Sequence, residues 1–310
     1  MADVLFGVDV GGTKIEAAAL GSDGRLRGQA RRANPRGDYE GAVRAVADAL
    51  GEAAQAAQAR IDRVGLGICG NVDARQGSVR FGNAVWMWDR PLRDDLAASL
   101  GAPVRMANDA DCFALSEAMD GAGAQARGVF GLILGTGVGG GFVADRKLVT
   151  GRLGVAGEIG HIPMPRGDAD ELSRGPCSCG RRGCVETLLS GPSLRADHAR
   201  SLGLDPDDAP QPAEIARLAE AGDAAAEATL ARYQERLGRV LGVLIDLIEP
   251  DVVVVGGGLS NVTSLYARAV ERAIPHVFGE RTETQVVANV HGDSSGVRGA
   301  ARLWQADRLE

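Results

Sequence analysis

The sequence predicts an α/β fold built from two similar halves, with a cleft between them. Three observations support this prediction. An apolar run, a glycine turn and a second apolar run occur twice, around residues 11–13 and around residues 135–137. Patterns typical of helices and buried strands follow both hairpins. Glycine and polar residues follow several of the predicted strands, and open sheets bind ligands at the carboxyl ends of their strands.

The first half of the chain predicts a hairpin followed by alternating helices and strands. Residues 4–10 and 15–20 are apolar runs on either side of a glycine turn, which is the pattern of a β-hairpin. Asp38 precedes apolar residues at helical spacing and is a candidate N-cap. The predicted strands span 4–10, 15–20, 26–32, 64–69 and 104–107, and the predicted helices begin after Asp38 and span 92–100 and 110–118.

The second half repeats the opening pattern and adds several helices. Strands are predicted over residues 130–134, 141–144, 252–255 and 286–290, with a further short strand near Leu148. Helices are predicted over residues 192–202, 212–222, 224–248, 262–277 and 295–309. We therefore predict a smaller domain of residues 1–118 plus 299–310. The larger predicted domain, residues 119–298, contains a cysteine-rich loop.

Composition narrows the class of protein and its location. The chain has 310 residues and a formal net charge of −7, which disfavours nucleic acid and anionic membrane surfaces as partners. Three of the five cysteines lie in one loop, which suits a reducing compartment. We expect no signal peptide and no membrane-spanning helix, because no apolar run reaches spanning length. These features predict a cytoplasmic protein.

Four potential metal ligands lie in one segment of the second half. The pattern H-x15-C-x-C-x4-C is formed by His161, Cys177, Cys179 and Cys184. Three thiolates and one imidazole are a donor set that a four-coordinate zinc ion takes. The alternative is that the cysteines lie in a solvated loop or form a redox pair, but the spacing favours zinc. Folding around an ion would bring together two carboxylates distant in sequence, Glu158 and Glu186.

Two glycine turns, one in each half, can direct backbone N–H groups at phosphates. The turns consist of Gly11, Gly12, Thr13 and Lys14 in the first half and of Gly135, Thr136 and Gly137 in the second. Asp9 precedes the first turn and fits a phosphate site only if a cation such as Mg²⁺ lies between the two. The alternative for each turn is a tight hairpin that needs glycine for a positive φ. Neither turn has the spacing of a P-loop.

A third glycine run, Gly256, Gly257 and Gly258, follows the predicted strand 252–255. Glycines at this point would let a flat base or a ribose approach the backbone. The alternative is a simple turn from strand to helix, and the sequence does not choose between the two.

Polar side chains at strand ends and beside the cysteine-rich loop suggest acid–base chemistry on a polyhydroxy substrate. Asp109 is the candidate general base, because a carboxylate there could accept a hydroxyl proton during phosphoryl transfer. The alternative is that Asp109 caps the helix that follows. Amide and carboxylate groups suited to sugar hydroxyls are carried by Asn83, Asn108, Glu158 and Glu186. A plain surface carboxylate is the alternative for each glutamate.

Five segments resemble successive motifs of the ROK family of repressors, open reading frames and sugar kinases. They are GVDVGGTKIEAAAL, RMANDADCFALSEA, LGTGVGGGFV, GEIGHIPM and CSCGRRGCVETLLSG. The resemblance covers nearly the whole chain and is most specific in the cysteine-rich loop and the ExGH motif. The closing stretch, from LSNVTSLY to HGDSSGVRGAARLW, is similar to bacterial ROK fructokinases of the manno(fructo)kinase type. Bacterial N-acetylglucosamine kinases share many of the same motifs.

The resemblance implies an actin-like ATPase fold of two duplicated RNase H-like domains that close on ATP and a sugar. It implies that Asp109 is the base, that Asp9 is the carboxylate on the magnesium side, and that the glycine turns bind phosphates. The residues expected around the sugar are Gly70, Asn71, Asn83, Asn108, Asp109, Glu158, His161 and Glu186. Members of the family are commonly dimers, so a homodimer is expected. ATP, Mg²⁺ and a structural Zn²⁺ are the expected cofactors.

One residue departs from the family pattern. The family often has asparagine after the NDA triplet, where this chain has Asp111. If this side chain reaches the site, it would place an extra negative charge near the sugar. The more conventional expectation is a position on the first turn of the following helix, where a carboxylate suits the helix dipole.

The predicted activity is ATP-dependent phosphorylation of a hexose at its 6-hydroxyl. Fructose is the first expectation, and N-acetylglucosamine, glucose and mannose are the alternatives. A sugar-responsive regulator of the same family would carry a DNA-binding helix-turn-helix ahead of the first strand. The first strand begins near Val4 and the chain is acidic, so this function is disfavoured. An actin-like structural protein is also disfavoured, because it would not need the cysteine-rich loop with its flanking glutamates.

Overall fold

Two five-stranded sheets with the same strand order form the framework of the protein. The computed structural model describes residues 4–73, 75–82 and 84–305. The strands are β1 (Val4–Val10), β2 (Lys14–Gly21), β3 (Leu26–Ala33), β4 (Val64–Ile68), β5 (Asn71–Asp73), β6 (Ser78–Arg80), β7 (Val104–Asn108), β8 (Gly128–Leu134), β9 (Val138–Ala144), β10 (Lys147–Leu148), β11 (Val252–Gly256) and β12 (Gln285–Ala288). The first sheet has the order β3-β2-β1-β4-β7 and the second has the order β10-β9-β8-β11-β12.

Strand directions also agree between the two sheets. Strand β1 is antiparallel to β2 and parallel to β4, and β4 is parallel to β7. In the second sheet, β9 is antiparallel to β10, while β11 is parallel to both β8 and β12. The predicted duplication of an α/β unit is therefore confirmed.

Ten α-helices accompany the sheets in the described part of the chain. They are α1 (Tyr39–Ala57), α2 (Leu92–Leu100), α3 (Asp109–Asp120), α4 (Ala169–Ser173), α5 (Glu186–Leu189), α6 (Gly191–Leu202), α7 (Pro212–Glu220), α8 (Ala224–Ile248), α9 (Ala269–Ala273) and α10 (Ser295–Arg302). Among the described residues, no helix is both long enough and apolar enough to cross a bilayer.

The described residues divide into two compact units. The first unit contains the chain up to Gln125, the segment Gly141–Gly157 and the residues from His291 onward. The second unit contains Ala126–Gly140 and Glu158–Val290. The domain boundaries expected from the sequence, at residues 118 and 299, stay a prediction.

The core of the first unit lies between its sheet and α1. The helix begins after Asp38, whose carboxylate accepts the N–H of Gly41 at 2.8 Å, as expected for an N-cap. Val46 and Leu50 on α1 are fully buried, as are Val8 and Ile15 on the strands. In the second unit, α8 buries one face, and Leu237 and Leu241 on that face have no exposed surface.

Three segments differ from their sequence-based expectation. The sequence predicts no strand between residues 69 and 92, but this stretch contains the two-stranded hairpin β5–β6. The closing helix, predicted over residues 295–309, ends at Arg302. The predicted helix over residues 262–277 is instead a series of short 3-10 turns and the five-residue α9. Pro275 explains the end of α9, because proline has no N–H to donate and its ring clashes with the carbonyl four residues earlier.

Candidate functional site

The first unit places two carboxylates near the carboxyl ends of its parallel strands. Asp9 lies on β1, and Asp109 begins α3 directly after β7. The pKa of Asp9 is raised to about 7, mainly by burial and also by the nearby carboxylates of Asp109 and Glu16, while Lys14 acts in the opposite direction. Burial also raises the pKa of Asp109. A divalent cation near Asp9 would offset this repulsion, because a bound ion dominates the local charge.

The structure separates the two roles that the sequence left open for Asp109. The N-cap of α3 is Asn108, whose side-chain oxygen accepts the N–H of Ala110 at 2.7 Å. Asp109 is the first helical residue, and its carboxylate also accepts the Ala110 N–H, at 2.9 Å. The helix therefore has a cap without Asp109, and the N-terminal dipole of α3 favours a negative charge at this position.

Hydrogen bonds at Gly70 and Asn71 connect the segment after β4 to the end of β7 and to the loop after β10. The side-chain nitrogen of Asn108 donates to the carbonyl of Gly70 at 2.8 Å. Gly70 has φ 121°, so a side chain at this position would be strained. The side-chain nitrogen of Asn71 donates to the carbonyls of Leu153 and Gly154, at 3.0 Å each. Asn83, the other expected sugar ligand in this region, lies outside the described residues.

A small cavity in the first unit lies beside Asn108 and includes the residue that departs from the family pattern. Its volume is about 40 Å³, and it is lined by residues of β5, β7, α3 and the loop after β10. Asp111 is on the first turn of α3, as expected, but it is also 4% exposed and lines this cavity with Arg152. The expected position on the first turn of α3 is therefore confirmed, and the carboxylate also faces a cavity lined by Asn108, while a place near the sugar stays a prediction.

The first glycine turn is surrounded by charged side chains. Gly11 donates its N–H to the carbonyl of Lys14 at 2.8 Å. The ammonium group of Lys14 lies 2.9 Å from the carboxylate of Glu16, which is 1% exposed. Arg31 pairs with the same carboxylate at 3.1 Å. The positive charge expected to face phosphates is therefore already paired with Glu16 in this structure.

The second glycine turn lies next to the third glycine run within the second unit. Gly135 donates its N–H to the carbonyl of Gly137 at 3.0 Å. A Cβ added to Gly135 would lie 3.7 Å from the backbone nitrogen of Gly258. Gly257 has φ 78°, and a Cβ there would lie 2.5 Å from the carbonyl of Leu134, so only glycine fits. The structure thus brings these two predicted nucleotide-binding segments together.

Positive φ does not explain the glycines of the two hairpin turns. Of the described glycines, neither Gly11 and Gly12 nor Gly135 and Gly137 have a positive φ. The tight-hairpin alternative considered from the sequence therefore does not account for them. At Gly137 the cause is space, because a Cβ would lie 2.6 Å from a carboxylate oxygen of Glu186.

The four predicted zinc ligands converge in the second unit. The donor atoms of His161, Cys177, Cys179 and Cys184 all lie within 4.8 Å of one another. The Sγ atoms of Cys179 and Cys184 are 3.6 Å apart, and Cys177 Sγ is 3.4 Å from His161 Nδ1. Ligands of a tetrahedral zinc ion are about 3.5–3.8 Å apart, so the donor set fits this metal.

Local backbone pairing brings the histidine to the cysteines. The N–H of Met164 donates to the carbonyl of Gly183 at 2.8 Å, and the N–H of Val185 donates to that of Ile162 at 3.0 Å. Gly160 allows the turn before His161 to lie against β9, since a Cβ there would be 1.9 Å from the carbonyl of Val138. The ExGH sequence and the cysteine-rich loop are thus parts of one local structure.

Two glutamates flank the metal-binding cluster, as the sequence predicts. Glu158 Oε2 is 4.0 Å from His161 Nε2, while the other ring nitrogen faces Cys177. A carboxylate beside the outer nitrogen orients a metal-binding histidine. Glu186 begins α5 directly after Cys184 and Val185, and its carboxylate accepts hydrogen bonds from Ser178 and from the backbone N–H of Val138. Sequence reasoning missed Ser178, because only its place between two ligand cysteines marks it.

The predicted site residues are therefore grouped in two sets. The first unit holds Asp9, Gly70, Asn71, Asn108 and Asp109 together with the first glycine turn. The second unit holds Glu158, His161, Glu186, the three cysteines and the other two glycine segments. Each set is built locally from strand ends and turns, and the combined sugar and nucleotide site stays a prediction.

Comparison with known proteins gives a family match and named relatives. The sequence model of the family described as the ROK family matches residues 5–307 of this chain. The N-acetyl-D-glucosamine kinase of Citrobacter koseri is 39% identical in an alignment of 308 positions that covers 97% of this chain and 99% of that protein. The enzyme of the same name from Salmonella paratyphi C is 38% identical with the same coverage.

Solved structures agree with this match. The ROK hexokinase from Thermus thermophilus has a TM-score of 0.87 and 30% identity, covering 99% of this chain and 100% of that chain. A ROK family glucokinase from Streptomyces griseus, in complex with glucose and AMPPNP, has a TM-score of 0.79 and 30% identity, covering 97% and 99%. The expected actin-like ATPase fold is confirmed by these matches and by the two sheets.

Proposed function

This chain belongs to the ROK family and is a sugar kinase of that family, and we propose that it phosphorylates N-acetylglucosamine at its 6-hydroxyl with ATP. The observation that carries the choice of sugar is the 38–39% identity, over 97% of the chain, to proteins named N-acetyl-D-glucosamine kinases. The sequence motifs alone placed fructose first and N-acetylglucosamine second. The named relatives support the reverse order, with glucose, mannose and fructose as weaker candidates.

Asp109 has the features expected of the general base. It sits at the N-terminus of α3, it is not needed as the cap, and burial raises its pKa above the ordinary value of an aspartate. A higher pKa brings a carboxylate closer to the pH at which it accepts a hydroxyl proton efficiently. We propose that Asp109 accepts the proton of the 6-hydroxyl as the phosphoryl group is transferred, and that it orients this hydroxyl.

The remaining substrate contacts are proposed from the predicted set. The sugar would be held by Gly70, Asn71, Asn83, Asn108, Glu158, His161 and Glu186. The proposal is supported by Asn108, which lines the small cavity of the first unit, and by the two glutamates, which lie beside the metal-binding cluster. We propose that Asn71 contacts the sugar through its backbone or its side-chain oxygen, because its side-chain nitrogen already donates to two carbonyls.

ATP is the proposed phosphoryl donor, with Mg²⁺ as its partner. The Streptomyces griseus glucokinase holds AMPPNP, an analogue of ATP, at 30% identity to this chain. We propose that the glycine turns at residues 11–14 and 135–137 bind phosphates and that residues 256–258 lie against the nucleoside. Asp9 would bind Mg²⁺ through water. The cation would offset the electrostatic repulsion of Asp9 by the carboxylates of Glu16 and Asp109.

A structural zinc ion is proposed at His161, Cys177, Cys179 and Cys184. When bound, zinc would fix the loop without taking part in the chemistry, since all four of its positions are filled by side chains. The chain's own contribution is to hold Glu158 beside the histidine and Glu186 after the last cysteine. We also propose that the protein is a cytoplasmic homodimer that binds neither nucleic acid nor membranes.

A coupled assay of ADP release tests the choice of sugar. Purified protein with one zinc ion per chain would be assayed with ATP and N-acetylglucosamine, glucose, mannose or fructose, and without sugar. We expect the highest kcat/KM for N-acetylglucosamine and little ADP release without sugar. A higher kcat/KM for fructose would restore the first expectation from the sequence, and release independent of sugar would contradict the kinase assignment.

A further inference from the structure

The carboxylate of Glu186 is held between two separate segments of the second unit. Its Oε1 accepts the hydroxyl of Ser178 at 3.0 Å, and its Oε2 accepts the backbone N–H of Val138 at 3.1 Å. Ser178 lies in the metal-binding loop between Cys177 and Cys179, and Val138 follows the second glycine turn. One side chain therefore connects the loop that binds metal to the turn proposed to bind phosphate.

Glycines near this carboxylate allow the second glycine turn to lie close to it. Gly137 has no Cβ, and a Cβ there would approach Glu186 Oε2 to 2.6 Å. Gly191, the first residue of α6, donates its N–H to the carbonyl of Gly135 at 2.7 Å. The segment from Glu186 to Gly191 is thus hydrogen-bonded to Gly135 and to Val138, on the two sides of Thr136.

Ser178 supplies the side-chain hydrogen bond on the loop side of this connection. Cys177 Sγ also lies 3.6 Å from Glu186 Oε1, but a zinc-bound cysteine is a thiolate and has no proton to donate. The Ser178 hydroxyl is then the one side-chain donor from this loop to Glu186 among the described contacts.

We propose that Ser178 is a positioning residue that holds Glu186 for the sugar and keeps it joined to the glycine turn at residues 135–137. This inference deepens the proposed function, because it rests on the role of Glu186 as a sugar ligand. Loss of the hydroxyl leaves the four metal ligands unchanged but allows the Glu186 carboxylate to rotate. Both sugar affinity and the order of the turn would then fall together.

The test compares Ser178→Ala with Ser178→Thr, which keeps a hydroxyl, and with Ser173→Ala. Ser173 lies in the same loop and donates its hydroxyl to the carbonyl of Asp170 at 2.8 Å, away from Glu186. Zinc content, the Kd for N-acetylglucosamine by calorimetry, the KM and kcat, and the exchange rate of the Val138 amide hydrogen would be measured on the full-length protein.

We expect Ser178→Ala to keep one zinc ion per chain, to bind sugar roughly tenfold more weakly, a factor that corresponds to about 1.4 kcal/mol, and to exchange the Val138 amide faster. KM for sugar should rise more than kcat falls, and Ser178→Thr and Ser173→Ala should resemble the original protein. Unchanged Val138 exchange in Ser178→Ala, or loss of its zinc, would overturn the proposal. The exchange measurement needs no sugar, so failure of the original protein to bind any hexose would contradict the proposed function and leave this test decisive.

Discussion

The two glycine turns occupy equivalent places in sheets of the same order, yet their surroundings differ. The first turn is followed by Lys14, which pairs with the buried Glu16, and it is preceded by Asp9. The second turn begins with Gly135 and ends with Gly137. It is contacted by the backbone of Gly191 and lies close to the carboxylate of Glu186. The strand order around the two turns is the same, while the charges at the two turns are different.

Insertions account for much of the remaining difference. The second unit carries the metal-binding loop between its first hairpin and its helices, and this loop supplies Glu158 and Glu186. The first unit has no equivalent cluster among its described residues and instead carries the pair Asp9 and Asp109. We infer that the first unit supplies carboxylates for reaction and cation binding, whereas the second uses a metal-stabilised loop to hold carboxylates for the sugar.

The largest expected effect comes from the proposed base in the first unit. Asp109→Asn removes the proton acceptor but keeps the size of the side chain, so kcat should fall roughly 1,000-fold. The melting temperature should change little, because Asn108 still caps α3. Asp111→Asn, two residues away, restores the asparagine common in the family and should keep kcat within about threefold. A kcat of Asp109→Asn within tenfold of the original would contradict the assignment.

The next effect tests how the inserted loop is attached to the second unit. Glu171 on α4 is 6% exposed and accepts hydrogen bonds from Arg236 at 2.7 Å and from Arg239 at 2.8 and 2.9 Å. Glu171→Gln would deprive Arg239 of its acidic partner, whereas Arg236 would keep Asp197 at 3.2 Å. The unfolding free energy should therefore fall by about 3 kcal/mol, the lower end of the range for a broken buried ion pair. Chemical denaturation measures this loss. Glu271→Gln, in an exposed pair with Arg268, should change the unfolding free energy far less, because solvent screens this pair.

The pH dependence of the same residue gives an independent check. Burial raises the pKa of Glu171, but the hydrogen bonds from Arg239 and Arg236 outweigh it and lower the pKa to about 2, from an ordinary value of 4.5. A lowered pKa stabilises the folded state above pH 4.5, and this contribution is lost as the pH falls toward 2. The unfolding free energy should therefore fall more steeply over this range in the original protein than in Glu171→Gln. Equal slopes would contradict the ion pair.

A smaller effect is expected from the metal ligands. Cys184→Ser should reduce the zinc content well below one ion per chain and lower the melting temperature by at least about 4 °C, since 1 kcal/mol shifts this temperature by about 2–4 °C in domains of this size. The control variant Cys69→Ser changes a thiol in the first unit that is not a predicted ligand, and it should retain one zinc ion per chain. Elemental analysis and calorimetric melting check both variants, and a zinc-replete Cys184→Ser protein would refute the ligand set.

The smallest expected effect concerns the carboxylate at the first turn. The pKa of Asp9 is raised to about 7 from an ordinary value of 3.8, mainly by burial. Because the pKa is raised, the folded state loses stability as the pH rises from about 4 to about 7, and the loss is complete above pH 7. Without Mg²⁺, Asp9→Asn should be more stable than the original protein at pH 8 by at least about 1 kcal/mol, with no difference below pH 4. Urea titrations at both pH values measure this, and equal stability at pH 8 would contradict the burial of charge at Asp9.

Much of the framework follows from the sequence, because it depends on local patterns. The repeated apolar run and glycine turn predicted both hairpins, and the spacing of one histidine and three cysteines predicted a cluster that the structure brings together. Buried strands such as β11 are visible as unbroken runs of valine. These features are encoded within a few residues, so a single sequence is enough to recognise them.

Features that depend on distant segments were not visible. The pairing of Glu186 with Val138 and Ser178 joins residues up to 48 positions apart, and nothing in the spacing marks it. The cavity position of Asp111 depends on the loop after β10, which lies beside α3 only in the folded unit. The hairpin β5–β6 is too short and too polar to be distinguished from a loop. Fructose came first because the closing stretch resembles fructokinases, whereas the relatives found by comparison are named N-acetyl-D-glucosamine kinases.

Calorimetric titration of N-acetylglucosamine into Asp109→Asn and Glu158→Gln tests the division of roles between the two units most directly. If the first unit supplies chemistry and the second supplies sugar contacts, Asp109→Asn should bind the sugar within about threefold of the original Kd while lacking turnover, and Glu158→Gln should bind it at least roughly tenfold more weakly. The opposite pattern, with affinity lost in Asp109→Asn and retained in Glu158→Gln, would contradict this account.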